Sequence, residues 1–138
     1  MPINSRRKGQ SGEREVVHIL EDQLGIKTAR NLDQWRDGGA DLVGLEPWVV
    51  EIKRAKAPNL KSWWEQAVRQ AEGKGIPCLW YRIDRHYWRV VIPLSVLTPW
   101  VFAVAGTGKP PVDLIWTAEI SPEAFCMFHR ENMEQKDD

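Results

Sequence analysis

The residues best placed to do chemistry are Glu51-Ile52-Lys53, which continue the apolar stretch Trp48 to Val50 and follow Asp41 by ten residues. Side chains alternate along an extended strand, so Glu51 and Lys53 project from one face while Val50 and Ile52 project from the other. A carboxylate and an ammonium then share one spot. With Asp41 brought alongside from a neighbouring strand, two hard oxygen ligands could hold a magnesium ion, and the lysine could orient a water beside it. Those are the groups needed to hydrolyse a phosphodiester. By itself E-x-K is also what two residues on a solvated sheet face look like, so the elements around it decide between the readings.

Ser11 is a candidate N-cap for a helix over 12–24, in which Val16, Val17, Leu20 and Leu24 recur at helical spacing and form the stripe that faces the core. Glu13 lies three, four and seven residues before the first three of these, and so on the same stripe. Either it complements the helix dipole from the first turn, or it is a third acid at the site. A strand is expected around 27–31, followed by an Asp- and Gly-rich loop. Two further strands, 40–45 and 48–54, are joined through Glu46-Pro47. For Asp41 to share a face with Glu51, opposed residues must have numbers summing to about 92. A three-residue connection, Leu45 to Pro47, does this; a two-residue one turns Asp41 away.

Ser62-Trp63-Trp64-Glu65 reads as a capping box opening a helix whose apolar stripe is Trp63, Trp64, Ala67, Val68 and Ala71, stopped by Gly73 and Gly75. This crossover has the length of a βαβ unit, so the strands holding Glu51 and Ile76 to Ile83 should run parallel. Gln66 lies off the stripe, where it is either surface or within reach of a bound water or phosphate. Tyr81 to Trp88 forms a hairpin around Asp84-Arg85-His86, with His86 a solvated turn residue. The uncharged run 90–108 is broken by Pro93 and Pro99 into pieces too short for a bilayer span of about 20 residues. A short helix near Ser95 and an apolar segment over 100–105 are expected there. Gly106-Thr107-Gly108-Lys109 fails the phosphate-loop pattern, since Pro110 stands where Ser or Thr is required and Ala103 where the first glycine belongs. A strand near 114–120 and a helix opened by Ser121-Pro122 precede an acidic, frayed tail over 134–138.

With 138 residues, 43% of them hydrophobic, the chain makes one ordinary domain. Two cysteines, Cys78 and Cys126, and no signal peptide point to a reducing, cytoplasmic setting. Cys126 with His129 gives only half of a tetrahedral zinc site. Net charge is zero, yet residues 1–90 carry 16 Lys or Arg against 12 Asp or Glu, and residues 91–138 carry 3 against 7. If Glu13, Asp41, Glu51 and a neighbour such as Glu15 are used at a metal site, then Arg6, Arg7, Lys8, Arg14, Arg30, Arg36, Lys53, Arg54 and Lys56 form a phosphate-binding surface; otherwise the charges are scattered and solvated. Of eight tryptophans, some could stack on unpaired bases, but most belong in a core or a subunit interface.

Taken together, Lys8-Gly9, Glu13-Arg14-Glu15, Arg30, Asp41-Leu42-Val43, Glu51-Ile52-Lys53 and Gly75 to Leu79 with the following hairpin resemble the archaeal-type Holliday junction resolvases of the PD-(D/E)xK nuclease superfamily, over residues 6 to 93. Ala40 replaces the proline of the superfamily's name, the stretch 31–40 is longer than its counterpart, and residues beyond 94 form an extension without one. The resemblance implies an α/β, restriction-endonuclease-like fold, with a central mixed sheet flanked by helices. It implies that Asp41, Glu51, Glu13 and the Ile52 carbonyl bind Mg²⁺, for which Mn²⁺ would substitute. It makes Lys53 catalytic with these acids, and gives Arg14 and Arg30, with Lys8, Arg7, Arg6 and Gln66, to the nucleic acid. The expected substrate is a four-way DNA junction cut by a homodimer. The rivals are a nuclease for flaps, nicks or duplex, and a non-catalytic DNA-binding subunit of the same fold.

Overall fold

The computed structural model describes residues 5–32, 40–100 and 110–133, with side chains from residue 8 onward. Arg6 and Arg7 as side chains, Arg36 with its Gly-rich stretch, the segment 101–109 and the acidic tail lie outside the described residues.

The strand β3 (Trp48–Ala55) pairs in parallel with β4 (Ile76–Ile83), as a helical crossover requires, with Glu51 opposite Leu79 and Lys53 opposite Tyr81. The crossover helix α2 is Leu60–Ala71. A tight turn returns β4 to antiparallel β5 (Arg89–Pro93), and β6 (Thr117–Ile120) pairs antiparallel with β5. The sheet order is β3-β4-β5-β6, a mixed sheet. The C-terminal extension thus supplies its last strand, after the short helix α3 (Leu94–Leu97) and a 3-10 turn at Leu114–Trp116. A separate antiparallel ribbon, β1 (Ala29–Arg30) with β2 (Leu42–Val43), lies beside β3.

Alternation along β3 and β4 gives the sheet two apolar faces. Val50, Ile52, Cys78, Trp80, Val90 and Ile92 pack under α1 (Ser5–Leu24) and α4 (Pro122–Asn132), which contribute Val16, Leu20, Phe125 and Cys126. Leu79, Tyr81 and Val91 pack on the other side against Trp64 and Ala67 of α2. Trp48, Trp64, Trp80 and Trp88 are buried, so four of the seven tryptophans among the described residues are core. Trp48 and Trp80 meet Phe125 with ring centroids 5.0 and 5.5 Å apart. Among the described residues, no helix is long and apolar enough to cross a membrane.

Three helix expectations change. The first helix begins at Ser5, not Gly12, so Glu13 stands in its third turn and does not serve the dipole. Ser11 is inside it, and its hydroxyl accepts from Arg54 Nη1 at 3.1 Å. α2 begins at Leu60, because Leu60 extends the apolar stripe by one turn and, like Trp63 and Val68, packs against the cluster of Trp64, Leu79 and Tyr81. Ser62 is therefore an exposed helix residue and the capping box does not form. The final helix is as read: Ser121 caps it, Oγ accepting from Ala124 N at 3.0 Å, with Pro122 in the first turn.

One glycine sets the start of β4. A Cβ at Gly75 would overlap the Pro47 carbonyl oxygen, which accepts from Ile76 N–H at 2.9 Å where β3 and β4 begin to pair. Gly75→Ala is expected to destabilise the protein by about 1–3 kcal/mol, because a backbone oxygen cannot move aside as a side chain would. Urea unfolding monitored by tryptophan fluorescence reads this directly.

Candidate active site

Asp41 is pinned from two sides at the free edge of β3. Its carbonyl accepts from Asn31 N–H at 2.9 Å, and its N–H donates to the Val50 carbonyl at 2.7 Å. Its carboxylate Oδ2 accepts from Ile52 N–H at 2.6 Å. The register is not the one expected from the sequence. Trp48 N–H donates to the Leu45 carbonyl at 3.0 Å across the two-residue turn Glu46-Pro47, whose peptide bond is cis. Opposed residues there sum to 93, whereas at Asp41 and Val50 they sum to 91. Gly44, at φ 96°, lies in the excess chain between these two bonds. Asp41 does not share a face with Glu51 through the ladder. Its side chain instead occupies a ladder position, receiving the amide that a strand carbonyl would otherwise receive.

This arrangement also aims the Ile52 carbonyl. In a regular strand, the N–H and C=O of one residue point to the same side. Ile52 N–H faces Asp41, so its carbonyl oxygen faces that edge too. Glu51, one residue earlier, turns toward α2.

Glu51 is buried, 2% exposed. Its Oε1 accepts from Gln66 Nε2 of α2 at 3.1 Å and lies 3.2 Å from Lys53 Nζ. Its Oε2 is buried with no hydrogen-bond partner among the described residues. Burial, and then the Asp41 carboxylate, push the Glu51 carboxyl up to about 7, against the opposing pull of Lys53; Glu13 adds a smaller push. A buried, electrically strained carboxylate with one oxygen unsatisfied is costly unless a cation completes it. Through its bond to Oε1, Gln66 joins Glu51 and Lys53 in one hydrogen-bonded group. On a helix its offset from the Trp64–Ala67–Ala71 stripe turns it toward β3 at the level of Glu51, and only the packing angle of α2 shows this.

Glu13 approaches from α1 on the opposite face. It is tied to β1 by Arg30, whose Nε donates to Oε2 at 2.6 Å. Among the described residues, no three His, Cys, Asp or Glu side chains are gathered closely enough to form a ready metal cluster. The donors that converge on the β3 edge are the Asp41 and Glu51 carboxylates with the Ile52 carbonyl, all hard oxygens suited to Mg²⁺ or Mn²⁺. The orphaned Glu51 Oε2 fits such an ion.

Glu15 does not join this group. Two residues along a helix point away from each other, and Glu15 pairs with Arg82 and, at 3.7 Å, with Arg54. Arg54 and Arg82 are register partners on the α1 face of the sheet. Sequence reasoning missed this pairing, although the βαβ reading, once its register is fixed, places both arginines there. Lys8 is likewise committed, to Asp84 at 2.6 Å. Of the expected basic surface, Arg14 and Lys56 are exposed, and Arg14 lines a cleft with Arg30, Val17 and Ala29. Cys126 and His129 are core: burial pushes the Cys126 thiol up to about 11, and His129 Nδ1 accepts from the Trp48 indole at 3.1 Å.

Among solved structures, that of Archaeoglobus fulgidus Hjc, a Holliday junction resolvase from an archaeal hyperthermophile, aligns with 60% of this chain and 70% of its own at 24% identity and a TM-score of 0.46. No curated protein matches the chain. The family described as "Phage putative PDDEXK endonuclease" matches residues 4–103. That span runs from α1 through β5 and contains every donor at the β3 edge. The mixed sheet with helices on both faces is the restriction-endonuclease-like fold, and the chain belongs to the phage PDDEXK endonuclease family.

Proposed function

We propose that the protein is a divalent-metal-dependent endodeoxyribonuclease, and that its substrate is a four-way DNA junction resolved by paired cuts from a homodimer. The observation that carries the hydrolytic reading is Glu51: buried, with one oxygen shared by Lys53 and Gln66 and the other unsatisfied, beside an Asp41 fixed by an Ile52 amide. A merely structural edge has a use for Asp41, as acceptor of the Ile52 amide, but none for a buried Glu51 with an unsatisfied oxygen.

Asp41, Glu51 and the Ile52 carbonyl would hold the metal, which supplies Lewis acidity at the scissile phosphate and acidifies a water. Lys53, held by Glu51 and partly exposed, orients the attacking water and offsets the negative charge that develops on the phosphate. Gln66 holds one oxygen of Glu51 and leaves the second without a partner, available to an ion that Asp41 and Glu51 would hold. Arg14 stands at the cleft to hold a neighbouring phosphate. Glu13 orients Arg30 for the same task, and a direct role in metal binding requires it to exchange that arginine for the ion. The order of motifs from Lys8-Gly9 to the β4–β5 hairpin, which resembles the archaeal-type resolvases, supports a junction as substrate. Cutting two strands symmetrically calls for two active sites related by a dyad, hence a homodimer.

The test is cleavage by the purified chain with Mg²⁺ of an immobile four-way junction, linear duplex, flap and single strand, with EDTA and Lys53→Ala as controls. Paired symmetric nicks in the junction alone are expected. Metal-dependent cutting of a different structure would keep the site and replace the substrate. Tight binding without cutting would make the chain an accessory DNA-binding subunit.

A further inference from the structure

The β4–β5 turn carries a feature that neither the fold nor the hydrolytic site requires. Among the described residues, Arg85 is the one non-glycine with positive φ, at 69°. His86 N–H closes this turn onto the Ile83 carbonyl at 2.9 Å. Glycine would sit there without the Cβ clash that arginine bears, and asparagine would offset it with a local side-chain hydrogen bond. A strained residue at an exposed turn tip points to its side chain as the reason. Two residues on, Tyr87 is 90% exposed, the most exposed large side chain among the described apolar and aromatic residues.

Tyr87 stands between two clefts of unlike charge. One, about 590 Å³, is lined by Arg82, Arg85, Glu15, His18 and His86 with Trp88; Glu15 pairs with Arg82 and Arg54 and His18 with Asp22, which leaves Arg85 as the source of the cleft's excess positive charge. The other, about 350 Å³, has Asp22 and Glu123 against Arg89. An anion would enter the first. The turn follows the end of β4, two residues, about 7 Å, beyond Tyr81, the register partner of Lys53, and its cleft opens on the α1 face of the sheet whereas Glu51 and Lys53 face α2. Its position is fixed by Lys8 of α1 on Asp84 and by Asp84 N–H on the Ala55 carbonyl at 2.9 Å.

We infer that this hairpin is a second DNA-contacting element, in which Tyr87 stacks on an unpaired base and Arg85 holds that nucleotide's phosphate over the cleft that it lines. A flat ring with its face free accepts any base, and a flanking guanidinium supplies the phosphate contact. The inference rests on the DNA-cleaving reading and assigns it a preference for distorted over fully paired DNA.

The test is fluorescence anisotropy with the full chain in EDTA, on a labelled four-way junction, a single-stranded 20-mer and a fully paired duplex of the same sequence. Tyr87→Ala is expected to weaken junction and single-strand binding by roughly five- to 150-fold, the range of one base–aromatic stack, and to leave duplex binding within twofold. Tyr87→Phe is expected to bind as wild type. Arg85→Gly is expected to weaken binding and lower the salt slope by about 1, while raising the melting temperature by relieving the backbone. Unchanged junction binding by Tyr87→Ala, with wild-type cleavage intact, would overturn the hairpin role and leave the nuclease reading standing. Loss of self-association in that variant, seen by sedimentation, would overturn it in favour of a subunit contact. A wild-type chain that neither binds nor cuts any of these DNAs would remove the underlying reading and the hairpin role with it.

Discussion

Glu51→Gln is expected to abolish metal-dependent cleavage, by at least about 10³-fold, and at the same time to make the metal-free protein more stable. The loss follows from removing one of two buried carboxylates that would hold the cation, a contribution of several kcal/mol to transition-state charge. The gain follows from the burial and the Asp41 charge that hold the Glu51 carboxyl at about 7 in the folded chain against 4.5 ordinarily. A folded-state value above the unfolded one means that the wild-type protein has this stability in full below pH 4.5. It loses it progressively as pH rises through about 7. That rise corresponds to about 3 kcal/mol at about 1.4 kcal/mol per pH unit. Glutamine carries no such penalty, although it forfeits the Lys53 ion pair, so the net gain expected at pH 8 is about 1–3 kcal/mol, shrinking to near zero at pH 4. Thermal melts of both proteins across that range check it. Mg²⁺ is expected to raise the wild-type melting temperature and not that of the variant, because an ion bound only by the folded state stabilises it by mass action. A variant that cleaves like wild type would remove Glu51 from the site.

At Asp41 the effect on stability has the opposite sign. Its carboxylate is the acceptor for the Ile52 amide at the β3 edge, so Asp41→Ala is expected to lose cleavage as completely as Glu51→Gln and also to destabilise the fold by about 1–3 kcal/mol, the cost of a buried amide left without a partner. Asp41→Asn separates the two roles. The asparagine oxygen can still receive the Ile52 amide, so the fold is expected to be largely retained while the metal-binding charge is gone. Urea unfolding of the pair, set beside their cleavage rates, distinguishes an acid that only binds metal from one that also completes the strand edge. Equal stability of Asp41→Ala and wild type would show that the amide finds another acceptor.

The opposite signs at two neighbouring acids trace to where each sits. Glu51 is inside the α2 face, where a charge has no water; Asp41 lies in the plane of the sheet, where its oxygen replaces a backbone carbonyl. Neither position is visible in the spacing of Asp41 and Glu51, although that spacing singled out both residues as candidates.

Local chemistry determined a good deal by itself. Alternation in Trp48 to Lys53 put Glu51 and Lys53 on one face, because the period of a strand is fixed by its backbone. The length of the crossover made β3 and β4 parallel, because a chain returning through a helix can run no other way onto the same sheet edge. Ser121-Pro122 opened the last helix, because capping is a matter of neighbouring atoms.

What the sequence left open was set by contacts between elements distant along the chain. The crossover helix start moved to Leu60 because tertiary burial outweighs a cap worth about 1 kcal/mol, and the first helix begins at Ser5. The hairpin register slipped because excess chain around Gly44 is accommodated by bonds to both β1 and β3, which no local pattern encodes. Only the packed structure decided that Asp41 reaches Glu51's strand through the Ile52 amide, that Gln66 meets Glu51, that Glu13 holds Arg30 while Glu15 turns to Arg82, and that Tyr87 stands free beside a basic cleft. The physical reason is the range of the forces. Periodicity and capping act over a few residues of chain, whereas pairing of charges and burial of carboxylates depend on distances through space that the fold alone sets.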